Sequence, residues 1–149
     1  MSREMILKIL LLLLVMASVL VVRVDGVVGG TCTVVGDCDN NEACVDSACT
    51  CSAGYHDTDT NNVCNPCDSG YYKDGTGINA CIEATAGYRA ASSNNAITTR
   101  AAVQQVICTS GTFSAAGASE CTTATAGNYV VDINGASIEN GGVAETACT

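Results

Sequence analysis

The residues best equipped for chemistry in this 149-residue chain are its eleven cysteines. Cys64-Asn-Pro-Cys67 has the spacing of a thiol redox motif, in which a helix N-terminus activates the first thiolate. Nothing around it predicts that helix or a βαβ unit, so two structural cysteines of neighbouring segments are the plainer reading. A zinc site needs four ligands, and Ala84 stands where a second C-x2-C pair would be completed. His56 is the single histidine, which leaves no choice of bases for a Ser-His-Asp or Cys-His pair. It follows Tyr55 and reads as a turn residue facing solvent. The acids lie in short turns between cysteines, not as the paired carboxylates of a glycosidase pocket. No catalytic residue is assigned, and the chain is expected not to be an enzyme.

Asp57-Thr-Asp59-Thr-Asn61 follows the alternate-oxygen pattern of a calcium loop, with Asp68 at the twelfth position. Asn62 occupies the sixth position, where such loops need Gly, and Asp68 replaces the usual bidentate Glu. Weak Ca2+ binding at Asp57, Asp59, Asn61 and Asp68 is therefore weighed against plain solvated acids, and no other cofactor is expected. Asp37, Asp39 and Asn41 make a second, shorter pattern of the same kind. No Asn-x-Ser/Thr sequon occurs, whereas Thr122-Thr123-Ala124-Thr125 would accept O-linked sugar.

The elements that must position these residues begin after an apolar N-terminal run. Arg3 and Lys8 precede unbroken hydrophobic sequence from Ile9 to Val22, which ends at Arg23. That length suits a signal-peptide helix and falls short of the roughly 20 residues of a spanning helix. Cleavage is expected after Gly26 or near Gly30; an uncleaved anchor, extended by a snorkelling Arg23, is the alternative. Residues 1–26 are thus set apart as a signal peptide. Beyond them the only cations are Lys73, Arg89 and Arg100, and the whole chain carries a formal charge of −9. Nucleic acid is excluded as a partner, because no basic surface exists to displace phosphate counterions. All eleven cysteines follow the apolar run, a density that in a secreted chain reads as a disulfide framework.

The first six cysteines, Cys32, Cys38, Cys44, Cys49, Cys51 and Cys64, are closely spaced, and spacing alone leaves fifteen pairings open. The run Cys49-Thr-Cys51-Ser-Ala-Gly54-Tyr55, closed by Cys64, resembles the second half of an EGF-like module. That resemblance, over residues 27–66, implies the bridges Cys32–Cys44, Cys38–Cys49 and Cys51–Cys64. The calcium-binding signature of that family is missing from Val27-Val28-Gly29-Gly30-Thr31, and the interval from Val45 to Ala48 is too short for its hydroxylated Asn.

An internal repeat follows. Cys67-Asp-Ser-Gly70-Tyr71-Tyr72, Gly75 and Cys81 recur as Cys108-Thr-Ser-Gly111-Thr112-Phe113, Gly117 and Cys121, with one deletion. Thereafter Cys81, Ala84, Thr85, Ala86, Gly87, Asn94, Ala96, Val103 and Cys108 recur forty residues later, ending at Cys148. The half-unit C-x2-(C or A)-x2-G and then an aromatic, starting at Cys64, Cys81 and Cys121, resembles the cysteine-rich repeats of ephrin-receptor-like and tumour-necrosis-factor-receptor-like ectodomains, as found in protist surface proteins. The chain departs from that pattern at Ala84, Gln105 and Ala124, where cysteines would stand. With those three gone together, one pair per repeat remains, Cys67 with Cys81 and Cys108 with Cys121. The repeats span 67–107 and 108–149.

Tyr129-Val130-Val131-Asp132-Ile133, Asn134-Gly135 and Ala136-Ser137-Ile138-Glu139 predict a hairpin about an Asn-Gly turn, with Asn94-Asn95 as its counterpart. The stretch Thr99 to Ile107 reads either as strand or as a helical turn or two. The fold expected is small, disulfide-rich and mostly β: an elongated tandem of short hairpin modules behind a signal-peptide helix.

Cys148 is the odd cysteine, and it corresponds to Cys108 in the repeat. A half-unit cut short, or pairing between chains, accounts for it, so disulfide-linked self-association through Cys148 is one expectation. The function expected is that of a secreted or cell-surface structural or adhesive protein, a disulfide-stapled spacer contacting extracellular proteins or matrix glycans. It would touch partners through Tyr71, Tyr72, Tyr88, Tyr129 and turn acids, while Tyr55 and Phe113 pack on bridges. No membrane contact is expected beyond the signal segment. The alternatives are an EGF-like receptor ligand or receptor ectodomain fragment and, less favoured, a thiol oxidoreductase using Cys64 and Cys67.

Overall fold

The computed structural model describes residues 28–33, 35–59 and 62–149. The segment read as a signal peptide, and Asn61 of the calcium pattern, lie outside these residues. The described chain is mostly β, built from short antiparallel two-stranded ladders with one three-residue 3-10 turn at Val35–Asp37. In chain order, β1 (Glu42–Val45) pairs with β2 (Ala48–Cys51), and β3 (Tyr55–His56) with β4 (Asn65–Pro66). Then β5 (Tyr71–Tyr72) pairs with β6 (Ile82–Glu83), and β7 (Tyr88–Ala91) with β8 (Gln104–Ile107). The same two-ladder arrangement recurs as β9 (Thr112–Phe113) with β10 (Thr122–Thr123), and β11 (Asn128–Val131) with β12 (Ala144–Ala147).

Strands this short have little hydrophobic surface to bury, so covalent closure substitutes for a core. Five disulfides close the chain: Cys32–Cys44, Cys38–Cys49, Cys51–Cys64, Cys67–Cys81 and Cys108–Cys121. The fully buried side chains of largest volume are Cys51, Cys67 and Cys108, so sulfur occupies the centre of each unit. Beside it lies a small cluster of Ala84, Ala90 and Ala102, on which the Tyr72 ring packs. Between β1 and β2, Asp46 and Ser47 both adopt positive φ (50° and 65°), as the mirror-image two-residue turn requires to match strand twist.

Two local expectations are corrected. The stretch Thr99 to Ile107 holds no helical turn: its second half is β8, in register Tyr88↔Ile107 through Ala91↔Gln104. Ala101 at φ 55° breaks any helical run, and the β-branched Val103, Val106 and Ile107 favour the extended state. The Asn134-Gly135 turn forms, with Gly135 at φ 80°, but it does not join two full strands. β11 takes β12 as its partner, and the returning arm meets it at one isolated bridge, Val131↔Ser137. The reason lies at Asp132. Its Oδ1 accepts N–H groups from Asn134 (2.9 Å) and Ala136 (2.8 Å), which closes a tight side-chain turn and ends the strand at Val131.

Candidate functional site

The repeating feature of the molecule is the joint between successive segments, and it is built twice by the same rule. At the first joint Gly54 N–H donates to Lys73 C=O (2.8 Å), and Lys73 N–H to Ala102 C=O (3.0 Å). Cys67 N–H returns to Gly54 C=O (2.8 Å), and Ala101 N–H reaches Cys67 C=O (2.9 Å). At the second joint the equivalent donors and acceptors are Gly87 to Ser114 (2.9 Å), Ser114 to Gly142 (3.0 Å), Cys108 to Gly87 (2.9 Å) and Gly141 to Cys108 (2.8 Å). Parallel bridges Tyr72↔Ala102 and Phe113↔Gly142 sit at corresponding places. Each joint thus seats a Ser-Gly hairpin, β5–β6 or β9–β10, against the glycine of the segment before it.

Glycine is required at both seats. Gly54 (φ 83°) and Gly87 (φ 84°) hold a backbone conformation that side chains resist, and they are buried. A Cβ on Gly54 would lie 2.5 Å from Ala101 O, and one on Gly87 would run into Gly141 O.

A side chain completes each joint. The Lys73 ammonium is buried and donates to Tyr55 C=O (2.6 Å) and Ser52 C=O (3.3 Å). At the second joint the Ser114 hydroxyl, equally buried, donates to Tyr88 C=O (2.7 Å). Burial pulls the Lys73 pKa below its ordinary value, and neighbouring Asp74 partly opposes this. Neither tether was anticipated from sequence. The available signal was that one of three cations beyond the apolar run falls directly after Gly70-Tyr71-Tyr72, where the repeat carries Ser114.

Within each repeat a second clasp holds β8 or β12 to the preceding turn. Gln105 Oε1 accepts both the N–H (2.9 Å) and the hydroxyl (2.7 Å) of Thr85. Glu145 does the same for Thr125, its two oxygens taking the N–H (2.6 Å) and the hydroxyl (2.9 Å). These donors, the backbone N–H foremost, hold the Glu145 carboxyl below the usual carboxylate range. Gln105 is a position where the half-unit pattern would carry a cysteine, and its side chain makes this clasp instead.

The residues singled out for chemistry are dispersed. Cys64 and Cys67 are bonded to different partners, Cys51 and Cys81, and share no bond. His56 is half-buried in β3, with Nδ1 3.3 Å from Thr58 Oγ1. Asp57 is buried, lines a pocket of about 570 Å³ with Thr50, Asn62, Ile78 and Asn79, and keeps an Oδ1 without a hydrogen-bond partner. Asp59 and Asp68 are exposed, and the metal-sized cluster among the described residues is a sulfur group, Cys32, Cys38 and Cys49, not a carboxylate one. Sulfurs of that group are already spent in two bridges. Asp37 of the shorter acidic pattern accepts the Thr33 N–H (2.8 Å) and hydroxyl (2.9 Å). Tyr71 and Tyr129 are exposed, Tyr88, Tyr55 and Phe113 half-buried, and Tyr72 is engaged with the alanine cluster.

Cys148 is exposed and carries a free thiol. No helix among the described residues is long and apolar enough to cross a membrane. No family model, curated protein or solved structure matches the chain.

Proposed function

We propose that this chain is a secreted or surface-exposed protein without enzymatic activity, whose work is mechanical and recognitional. It would act as a disulfide-stapled spacer, an EGF-like module followed by two degenerate cysteine-rich repeats, presenting side chains to extracellular proteins or matrix glycans. One observation carries the reading: the same hairpin-on-glycine joint is made twice, each time in a segment closed by its own bridge. Such construction fixes neighbouring units against one another with almost no apolar core, which suits a load-bearing or display element outside the cell. Disulfide density of this order persists in an oxidising compartment, and that supports secretion. The exposed Tyr71 and Tyr129, at 39% each, are the side chains offered for contact.

The separate bonding of Cys64 and Cys67 weighs against the oxidoreductase alternative, since a dithiol catalyst needs those two sulfurs to exchange one bond. The test is expression of the full chain with its N-terminal segment in a eukaryotic secretory host. Recovery from the medium, with the apolar segment removed and no insulin-disulfide reductase activity, is the expected result. Retention in the cytosol with reduced cysteines, or reductase activity lost on Cys64→Ser, would overturn the reading.

A further inference from the structure

The first joint carries a group that the second lacks. In both, the third residue after the seating glycine donates its N–H to the loop of the seated hairpin: Asp57 to Ile78 C=O (3.3 Å), and Ala90 to Ala118 C=O (2.9 Å). Both residues are buried. At the second joint the side chain is a methyl group clustered with Ala84 and Ala102, so the joint closes there without a polar group. At the first joint the same place holds a carboxylate only 5% exposed, whose Oδ1 has no hydrogen-bond partner among the described residues. A buried charge is unfavourable until something pairs with it. Lys73 does not supply that partner, because its ammonium is given to the Tyr55 and Ser52 carbonyls.

The pocket that Asp57 lines, about 570 Å³, draws its walls from separate segments: Val28 ahead of Cys32, Ala48 from β2, and Ile78 from the loop between β5 and β6. Backbone bonds pin these walls together, Gly29 N–H to Cys49 C=O (2.8 Å) and Gly77 N–H to Cys51 C=O (2.8 Å). The site is thus formed in advance of any ligand, mostly apolar with one charged group. The other side chains bearing oxygen at the pocket, Thr50, Asn62 and Asn79, are neutral, and the metal-sized cluster among the described residues is made of cysteines. A hard divalent ion takes about six to eight oxygens, which apolar walls around a single carboxylate do not provide. An ammonium on an alkyl stem needs one carboxylate and an apolar wall, and both are here.

We infer that the Asp57 pocket binds a primary ammonium carried on an alkyl chain, and that its occupant is a lysine side chain of an extracellular protein partner. The ammonium pairs with the Asp57 carboxylate, while the stem lies along Val28, Ala48 and Ile78, the last of which stands 50% exposed at the rim. The proposal rests on the reading of the chain as a stapled contact protein and names the side chain it contacts.

The test titrates the full chain, expressed through a secretory host and isotope-labelled, with Nα-acetyl-lysine amide. The control probe is Nα-acetyl-norleucine amide, which has the same four-carbon stem without the ammonium. Backbone amide signals of Val28, Asp57 and Ile78 are expected to shift saturably with the lysine probe at millimolar concentrations, and the norleucine probe to bind at least about tenfold more weakly. Asp57→Asn and Asp57→Ala should each abolish the preference for lysine. The Ala variant is expected to fold with its bridges intact, since Ala90 fills that place in the second joint. Equal binding of the two probes by wild type, no saturable shift at those residues, or saturable shifts with CaCl2 that the lysine probe cannot reverse would overturn the proposal. The comparison of probes on wild type stands without any variant. Failure of the lysine probe on protein secreted with five intact bridges removes this inference alone and leaves the spacer reading in place.

Discussion

Lys73 is the residue on which the first joint turns. Its ammonium donates to the Tyr55 carbonyl and shares the Ser52 carbonyl with the Tyr55 N–H (3.1 Å), and a substitution to Met keeps the stem while taking the side-chain donor from the Tyr55 carbonyl. Lys73→Met is expected to cost about 1–3 kcal/mol, the penalty for a buried acceptor left unsatisfied, read as a lower urea midpoint with bridges intact. Because burial lowers the Lys73 pKa, the unfolded chain binds more protons than the folded one between that lowered value and 10.5. The residue's contribution to stability therefore rises with pH through that window, and the advantage of wild type over Lys73→Met should widen from pH 8 to pH 10. Glu145 has the same sign, in an acidic window. Its folded pKa lies below 4.5, so its clasp on Thr125 is fully present above 4.5 and is lost as pH falls through the lowered value. Gln105 holds Thr85 by the same geometry without a titrating group. Amide exchange at Thr125 should accelerate on acidification relative to that at Thr85, and Glu145→Gln should remove the difference.

At the scale of elements, each hairpin depends on one loop closure and one glycine. Replacing Cys67 and Cys81 together by Ser opens the loop that carries β5 and β6 and should cost about 3 kcal/mol by chain entropy, measured by chemical denaturation. Gly87→Ala and Gly127→Ala make a discriminating pair. Both incur the left-handed penalty of about 1–2 kcal/mol, but the methyl at Gly87 must also displace the Gly141 carbonyl. Gly87→Ala should therefore lower the thermal midpoint markedly more than Gly127→Ala.

Turns were the most legible elements in the sequence: Gly135 and Asn95 adopt the positive φ that their residue types favour. Strand partners were not, because two- to four-residue strands carry too few alternations to fix a register. β11 shows this, since its neighbour in sequence after the turn is nearly unpaired and its true partner begins at Ala144. Thr99 to Ile107 reads as strand or helix because nothing local marks Ala101 as the positive-φ position that breaks a helical run. The tethers were hidden for a different reason. A buried lysine and an amide clasp are set by carbonyls brought from other segments, and nothing local announces those acceptors.

The whole molecule is a series of small units in which disulfides and hydrogen bonds do what a core does in larger proteins. No backbone hydrogen bond among the described residues joins 28–66 to 108–149; each segment bonds to the next one along. The hairpin half of each joint was foreshadowed by the recurrence of Cys67, Gly70 and Cys81 at Cys108, Gly111 and Cys121, whereas the seating glycines Gly54 and Gly87 are not related by the repeat. The chain carries fifteen acidic against six basic residues, yet the described carboxylates of the calcium pattern share no environment, Asp57 being buried while Asp59 and Asp68 face solvent.

Each unit is closed by its own bridge, and a disulfide map of the intact chain tests this. Protein expressed through a eukaryotic secretory host is alkylated without reduction, digested with pepsin, and its disulfide-linked peptides are identified by mass spectrometry. The expected map has linked pairs Cys67–Cys81 and Cys108–Cys121, three bridges within Cys32 to Cys64, and alkylation at Cys148 alone. A Cys64–Cys67 bridge, a bond between Cys67 or Cys81 and Cys108 or Cys121, or alkylation at several of the ten bridged positions would contradict it.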